Sequence, residues 1–163
     1  MALTSIKIET VDRSTFEKVL PLIADYQRFY GCTPNEDRNR AYFSRFLDDH
    51  SSGILFAAFD AEGVVLGFAT LYFVPSSLSA RTACTFNDLY TVPGERSRSV
   101  GPGLGFHALR YASDLGYPNA SWLTKPDNAT ARKIYDNLGA ERSEWLMYEA
   151  TLASGYEASP EKR

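Results

Sequence analysis

Apolar and polar residues alternate from Ser5 to Val11, in SIKIETV, and the alternation predicts a strand with one face turned to a core. The period then lengthens. Phe16, Val19, Leu20, Ile23, Tyr26 and Tyr30 recur at helical spacing and fall on one face of a helix. Ser14 followed by Glu17 has the form of a capping box that would open this helix, and Pro21 inside it predicts a bend or a restart. GCTPNED (31–37) is a break, and RNRAYFSRFLDDHSSG (38–53) carries Tyr42, Phe43, Phe46 and Leu47 as a second amphipathic helix.

GILFAAFD (53–60), the turn AEG and VVLGFATLYFV (64–74) are rich in β-branched and aromatic residues, which predicts two antiparallel strands in tight connection. PSSLSA breaks the sheet, and RTACTFNDLYTV (81–92) is a further strand ended by Pro93 and Gly94. Leu104, Ala108, Tyr111, Ala112 and Leu115 return to helical spacing, with a stop at Gly116. ASWLTK (120–125) predicts a short strand, NATARKIYDNLG (128–139) a helix, and SEWLMYEATL (143–152) a last strand. The order β-α-α-β-β-β-α-β-α-β predicts one α/β domain over residues 1–152, a sheet with helices packed on it, followed by a flexible tail at 153–163.

The 163 residues suffice for one buried core, and 44% apolar with 23% charged residues argues against disorder. A net charge of −3 gives no field that would gather nucleic acid or an anionic membrane, so neither is expected as a partner. Cys32 and Cys84 stand far apart with no Cys/His cluster around them, which points to reduced thiols and to no metal site. Glu9 and Asp12 interrupt any apolar run at the start, and the cytosol is the expected compartment.

The stretch RSRSVGPGLG (96–105) lies between a strand and a helix, where the first backbone N–H groups of the helix lack partners at the positive end of its dipole. Ser97 and Ser99 are small enough to let backbone approach a phosphate, Arg96 and Arg98 bring charge, and Pro102 stands where a missing N–H costs least. No Gly-Lys-Ser/Thr follows, so this is not a P-loop. Taken alone, the loop reads equally well as a solvated basic turn.

With its surroundings, DLYTVPGERSRSVGPGLGFHAL (88–109) and WLTKPDNATARKIYDNLGA (122–140) together resemble the GNAT superfamily, the Gcn5-related N-acetyltransferases. The likeness runs over residues 6 to 152. It implies the GNAT fold, a mixed, mostly antiparallel central sheet flanked by helices, and transfer of an acetyl group from acetyl-CoA to an amine. The family's pyrophosphate-binding turn, Arg/Gln-x-x-Gly-x-Gly/Ala, aligns with Arg96, Ser97, Arg98, Ser99, Val100 and Gly101, serine standing for glycine. A second register, Arg98-x-x-Gly101-x-Gly103, also fits the bare pattern but displaces Leu104 and Gly116 from their usual places. YQRFYG, FNDLYTV and WLMYE look like the branch holding the yeast histone- and polyamine-acetylating enzymes and the spermidine/spermine acetyltransferases.

The resemblance further implies that Leu89, Tyr90, Thr91 and Val92 hold the cofactor's pantetheine arm by their backbone, and that Asn128, Ala131 and Tyr135 lie on the cofactor-side helix. Tyr135 is the expected acid for the departing thiolate; on the residues alone it is a packed aromatic beside Ile134 and Leu138. Related polyamine enzymes carry a glutamate where this chain has Asn87, which leaves Asp88 as the nearest carboxylate for a base or amine anchor, although it points to the opposite strand face. Tyr26, Phe29 and Tyr30, with Asn87 and Asp88, are candidates for the acceptor amine, beside the hairpin end LYFVPSS. Glu36, Asp37, Asp48 and Asp49 make that neighbourhood acidic and would favour a cation. His50 and His107 are not expected in the chemistry. A homodimer is expected from the resemblance, and an acyl-CoA-binding module without turnover is the competing reading.

Overall fold

The computed structural model describes residues 6–150 and residue 152, with residues 96–98 as backbone. The flexible tail expected at 153–163 and the side chains of Arg96, Ser97 and Arg98 lie outside the described residues. Five strands form one sheet in the order of the chain: β1 (Lys7–Thr10), β2 (Gly53–Phe59), β3 (Val65–Ser76), β4 (Arg81–Thr91) and β5 (Ala120–Ser121). Neighbours run antiparallel except β4 and β5, which run parallel. Four helices flank the sheet: α1 (Phe16–Phe29), α2 (Glu36–Phe43), α3 (Val100–Asp114) and α4 (Ala129–Asn137).

Every residue of β2 is buried, because helices cover both of its faces. Phe16, Val19, Leu20 and Ile23 of α1 meet Leu55, Ala57 and Phe68 on one face. Val100, Leu104, Ala108 and Ala112 of α3 meet Ile54, Phe56, Ala69 and Leu71 on the other. Each large side chain so buried contributes about 1.5–3 kcal/mol against its exposed state. Gly67 lets β3 and β4 close up, since a Cβ there would stand 2.5 Å from the Tyr90 carbonyl oxygen. β4 changes face part-way: Cys84 and Phe86 turn to the α3 side and Tyr90 to the α1 side. The pairing Thr70↔Asp88 is followed by Leu71↔Phe86, so Asn87 is an extra residue, a bulge that shifts the alternation by one.

Four expectations need correction. Ser14 does not open α1; Thr15 is its N-cap, and the Asp12 carboxylate instead accepts from the Ser14 N–H (2.8 Å), the Ser14 hydroxyl (2.7 Å) and the Thr15 N–H (3.0 Å). An ionised acceptor takes these donors more strongly than a serine hydroxyl would. Glu17, freed from the box, pairs with Arg40. Pro21 does not restart the helix, which runs unbroken from Phe16 to Phe29. The second helix begins earlier, at Glu36, because the Asn35 side chain caps it by accepting from the Arg38 N–H at 2.8 Å.

The strand expected over 143–152 is not formed: residues 141–150 lack regular structure and are exposed. Alternation specifies which face a strand would bury, but a strand also needs a partner's edge. β5 has only the residues Ala120 and Ser121, short of the six expected, and offers no ladder to extend.

Candidate active site

β4 and β5 pair at Cys84↔Ala120 and Thr85↔Ser121 and then part. Beyond Thr85, past the bulge at Asn87, β4 has no strand on that side among the described residues. A cavity of about 480 Å³ fills the gap. Asn87, Leu89, Tyr90 and Thr91 form its β4 wall, and the end of α1, the start of α3 and helix α4 close it.

Pro93–Arg98 form a turn of 3₁₀ helix, Ser99 takes the left-handed conformation at φ 60°, and α3 starts at Val100. Ser99 makes no side-chain cap, and Gly103 donates to the Ser99 carbonyl oxygen at 3.0 Å, so the N–H groups of Val100 and Gly101 precede the intrahelical ladder. Gly101 and Pro102 reach the cavity. A Cβ at Gly101 would stand 3.1 Å from Ile134 Cδ1 and 3.3 Å from Thr91 Oγ1, so any larger residue would have to push these side chains back by a few tenths of an ångström. Val100 itself is fully buried, and Val92 donates its N–H to Leu66 O at 3.0 Å and stands outside the cavity wall.

Asn128 caps α4 by accepting from the Ala131 N–H at 3.2 Å, and Asn128, Ala131 and Tyr135 all face the cavity. Tyr135 is held edge-on by Trp122, with ring centroids 5.3 Å apart, and by Phe86 at 6.5 Å. Burial, then the nearby Tyr30 and Asp88, pushes its phenol up to about 12, which keeps the proton on Oη throughout the neutral range. A phenol in this state is competent to donate.

Tyr26 and Tyr30 come from the last turn and C-cap of α1, with ring centroids 5.0 Å apart, and Phe29 stands edge-on to Tyr30 at 5.1 Å. All three line the cavity; Tyr26 is also partly packed against Phe68 and Tyr90. Asp88 does not line it. Its side chain is buried on the α1 side beneath Tyr26, and Asn87, which does line the cavity, donates from Nδ2 to Asp88 Oδ1 at 3.0 Å. Burial raises the Asp88 pKa above the usual carboxylate range, opposed by the hydrogen-bonding groups of Asn87, Tyr26 and Thr70. Burial and the carboxyl of Asp88 together raise the Tyr26 phenol.

The acidic neighbourhood is elsewhere. Glu36 pairs with Arg40, Asp48 with Arg13, and Asp49 accepts from Ser51; neither these three nor Asp37 reaches the cavity, and the hairpin end at 71–77 does not either. His107 packs against Phe56, 4.9 Å between ring centroids, away from the site. Among the described residues no cluster of His, Cys, Asp or Glu is arranged to hold a metal ion, and no helix is long and apolar enough to cross a membrane. No pattern of spacing or residue type marks Leu123, Lys125 and Asp127, which follow β5 and line the cavity where β5 has ended.

The family profile described as the Acetyltransferase (GNAT) family matches residues 19–140, a span reaching from α1 through the junction at Ser99 to the end of α4. The chain belongs to the GNAT acetyltransferase family. An uncharacterized N-acetyltransferase of Bacillus subtilis (strain 168), YhfO, is 30% identical over 143 residues, covering 88% of this chain and 95% of that protein. The D-amino-acid N-acetyltransferase HPA3 of Saccharomyces cerevisiae is 28% identical over 143 residues, 87% of this chain and 86% of that one. Among solved structures, a probable acetyltransferase superposes with a TM-score of 0.79 at 27% identity, over 90% of this chain and 98% of that one. The single α/β domain with its mixed sheet is accordingly the GNAT fold, and the protein is an N-acetyltransferase of that family, which uses acyl-CoA.

Proposed function

We propose that this GNAT enzyme acetylates the primary amine of a small molecule from acetyl-CoA by direct attack at the cavity between β4 and α4. The observation that carries the reading is the coincidence, in one cavity, of a strand edge without a neighbour, a helix start with its N–H groups free of the ladder, and a protonated, half-buried phenol. These residues fit the cofactor. The N–H group of Gly101 at the start of α3, with Arg96 and Arg98, would hold the diphosphate, and the backbone of Leu89, Tyr90 and Thr91 the amide-bearing arm. Asn128 and Ala131 would complete the cofactor side. Acetyl-CoA supplies an acyl carbon activated as a thioester.

Tyr135 keeps a proton on Oη for the leaving sulfur, a role that general acids fill with about 10²–10⁴-fold effect. Asp88 is too buried to meet the acceptor and acts through Tyr26, which faces both the carboxyl and the cavity: its raised pKa makes it a better proton acceptor than an exposed aspartate. Tyr30 and Phe29 offer ring faces to the acceptor. The yeast relative's name supports an amino acid as acceptor more than a polyamine, and Glu36, Asp37, Asp48 and Asp49, the acidic residues expected to favour a polycation, lie outside the cavity. A cytosolic homodimer completes the proposal.

Incubating the purified protein with acetyl-CoA and a panel of amines, while following free thiol, tests it. Release that depends on an amine supports the reading. Thermal stabilisation by acetyl-CoA with no thiol release from any amine would instead favour a binding module.

A further inference from the structure

Among the described residues, no ion pair neutralises the charge of Lys125. It stands in the segment between β5 and α4, lines the cavity, and holds its ammonium 5.6 Å from the centroid of the Tyr30 ring. No carboxylate among the described residues lies within ion-pair distance of it. Tyr30 places this cation near the chemistry, because the same phenol is close enough to Tyr135 to help raise its pKa. Asp88 lies behind Tyr26, outside the cavity wall, and Asp127, which shares that wall, forms no ion pair with Lys125.

An amine must lose its proton before it can attack, so a second positive charge on the acceptor would stand against the Lys125 ammonium, whereas an anion would be held there. The Tyr30 ring beside Lys125, with Phe29 and Tyr26 on the same cavity, gives such an acceptor an apolar wall next to the cation. We propose that Lys125 is a specificity-determining residue that binds a carboxylate on the acceptor, so that the enzyme prefers small amines of the α-amino acid type over their amides and over polyamines. The inference rests on the acetyltransferase reading of the cavity given above.

The test compares phenylalanine of each hand, phenylalaninamide and spermidine as acceptors for the wild type, Lys125→Met and Lys125→Arg at saturating acetyl-CoA. The ratio of kcat/KM between acid and amide is the readout, since the two amines are not equally deprotonated at one pH. Lys125→Met is expected to lower that ratio about ten- to a hundredfold, mainly through the amino acid's KM, the range a charge-assisted hydrogen bond supplies. Lys125→Arg is expected to keep most of the preference. An equal loss on acid and amide overturns the proposal; if that loss comes with a higher KM for acetyl-CoA, Lys125 serves the cofactor. Turnover of spermidine above either amino acid also overturns it. If acetyl-CoA neither shifts the melting temperature nor releases thiol with any amine, the reading of the cavity fails first, and the inference with it.

Discussion

β2 and α4 are both short elements, one inside the sheet and one beside it, yet every residue of β2 is buried and not one residue of α4 is. The ladder between β3 and β4 runs from Gly67↔Thr91 to Ser76↔Arg81, whereas β4 and β5 share only two pairs. The half built from β1 to β4 with α1 and α3 therefore carries the folding free energy, and the half from β5 onward uses its apolar surface to line the cavity. Stability and chemistry are thus separable by substitution in this chain, with the site along the seam between the halves.

The sharpest contrast pairs Phe56, fully buried in β2, with Trp145, 88% exposed beyond α4. Phe56→Ala is expected to cost about 3–5 kcal/mol in urea unfolding, and Trp145→Ala to stay within about 0.5 kcal/mol. A loss of several kcal/mol at Trp145 would show that residues 141–150 are packed in solution, and would break the comparison. Tyr135→Phe should do the reverse of Phe56→Ala. Turnover is expected to fall about 100-fold or more while stability and the thermal shift on adding acetyl-CoA hold, because the ring keeps its contacts with Trp122 and Phe86. With the phenol pushed up to about 12, its donor form persists at lower pH and is lost only as pH rises through that value. A basic limb in the wild-type kcat profile well below this, absent from Tyr135→Phe, would contradict it.

What the sequence disclosed follows the same division. Strands β1 to β4 and the face of α1 were legible because each has many neighbours enforcing one period, and local pattern and tertiary packing agree there. The role of Asp12 as acceptor in the turn before α1 is not legible because three candidate acceptors, Asp12, Ser14 and Thr15, stand within four residues and only geometry ranks them. The bulge at Asn87, which decides that Asp88 faces α1 and Asn87 the cavity, leaves no trace in composition. SEWLMYEATL alternates as a strand should, but pairing is non-local and β5, two residues long, offers it no ladder to join. That Tyr135 lines the cavity and that a helix starts after Ser99 agree with the family resemblance, whereas an isolated tyrosine on an apolar helix face reads first as core. Lys125 had no pattern at all to mark it.

Asp88 belongs to the packed half and offers a smaller, pH-dependent effect. Burial raises its folded-state pKa above the unfolded value, so its contribution to stability is complete below the ordinary carboxylate range and is lost as pH rises through the raised folded value. Asp12 and Asp49 are lowered by hydrogen bonds and act with the opposite sign, their stabilisation fading as pH falls. The difference curve between wild type and Asp88→Asn isolates the first effect: the variant is expected to gain on the wild type progressively as pH rises from about 4 toward neutrality. A flat difference curve in denaturant unfolding would place Asp88 in water and undo its route through Tyr26.

The smallest effect lies at the seam itself. Ser99 holds φ at 60° without a side-chain cap to repay it, which costs a non-glycine residue about 1–2 kcal/mol. Glycine removes that strain but loses about 0.5–1 kcal/mol more entropy on folding, so Ser99→Gly is expected to stabilise the chain by about 0.5 kcal/mol, the difference of these two terms. The backbone path into α3, and hence the N–H group of Gly101, stays as it is. If the junction grips the diphosphate, affinity for acetyl-CoA in calorimetry should hold or rise in Ser99→Gly, because glycine also lets a phosphate approach more closely. A drop in affinity with unchanged stability would mean that the serine hydroxyl, and not the bare helix start, is the group that binds.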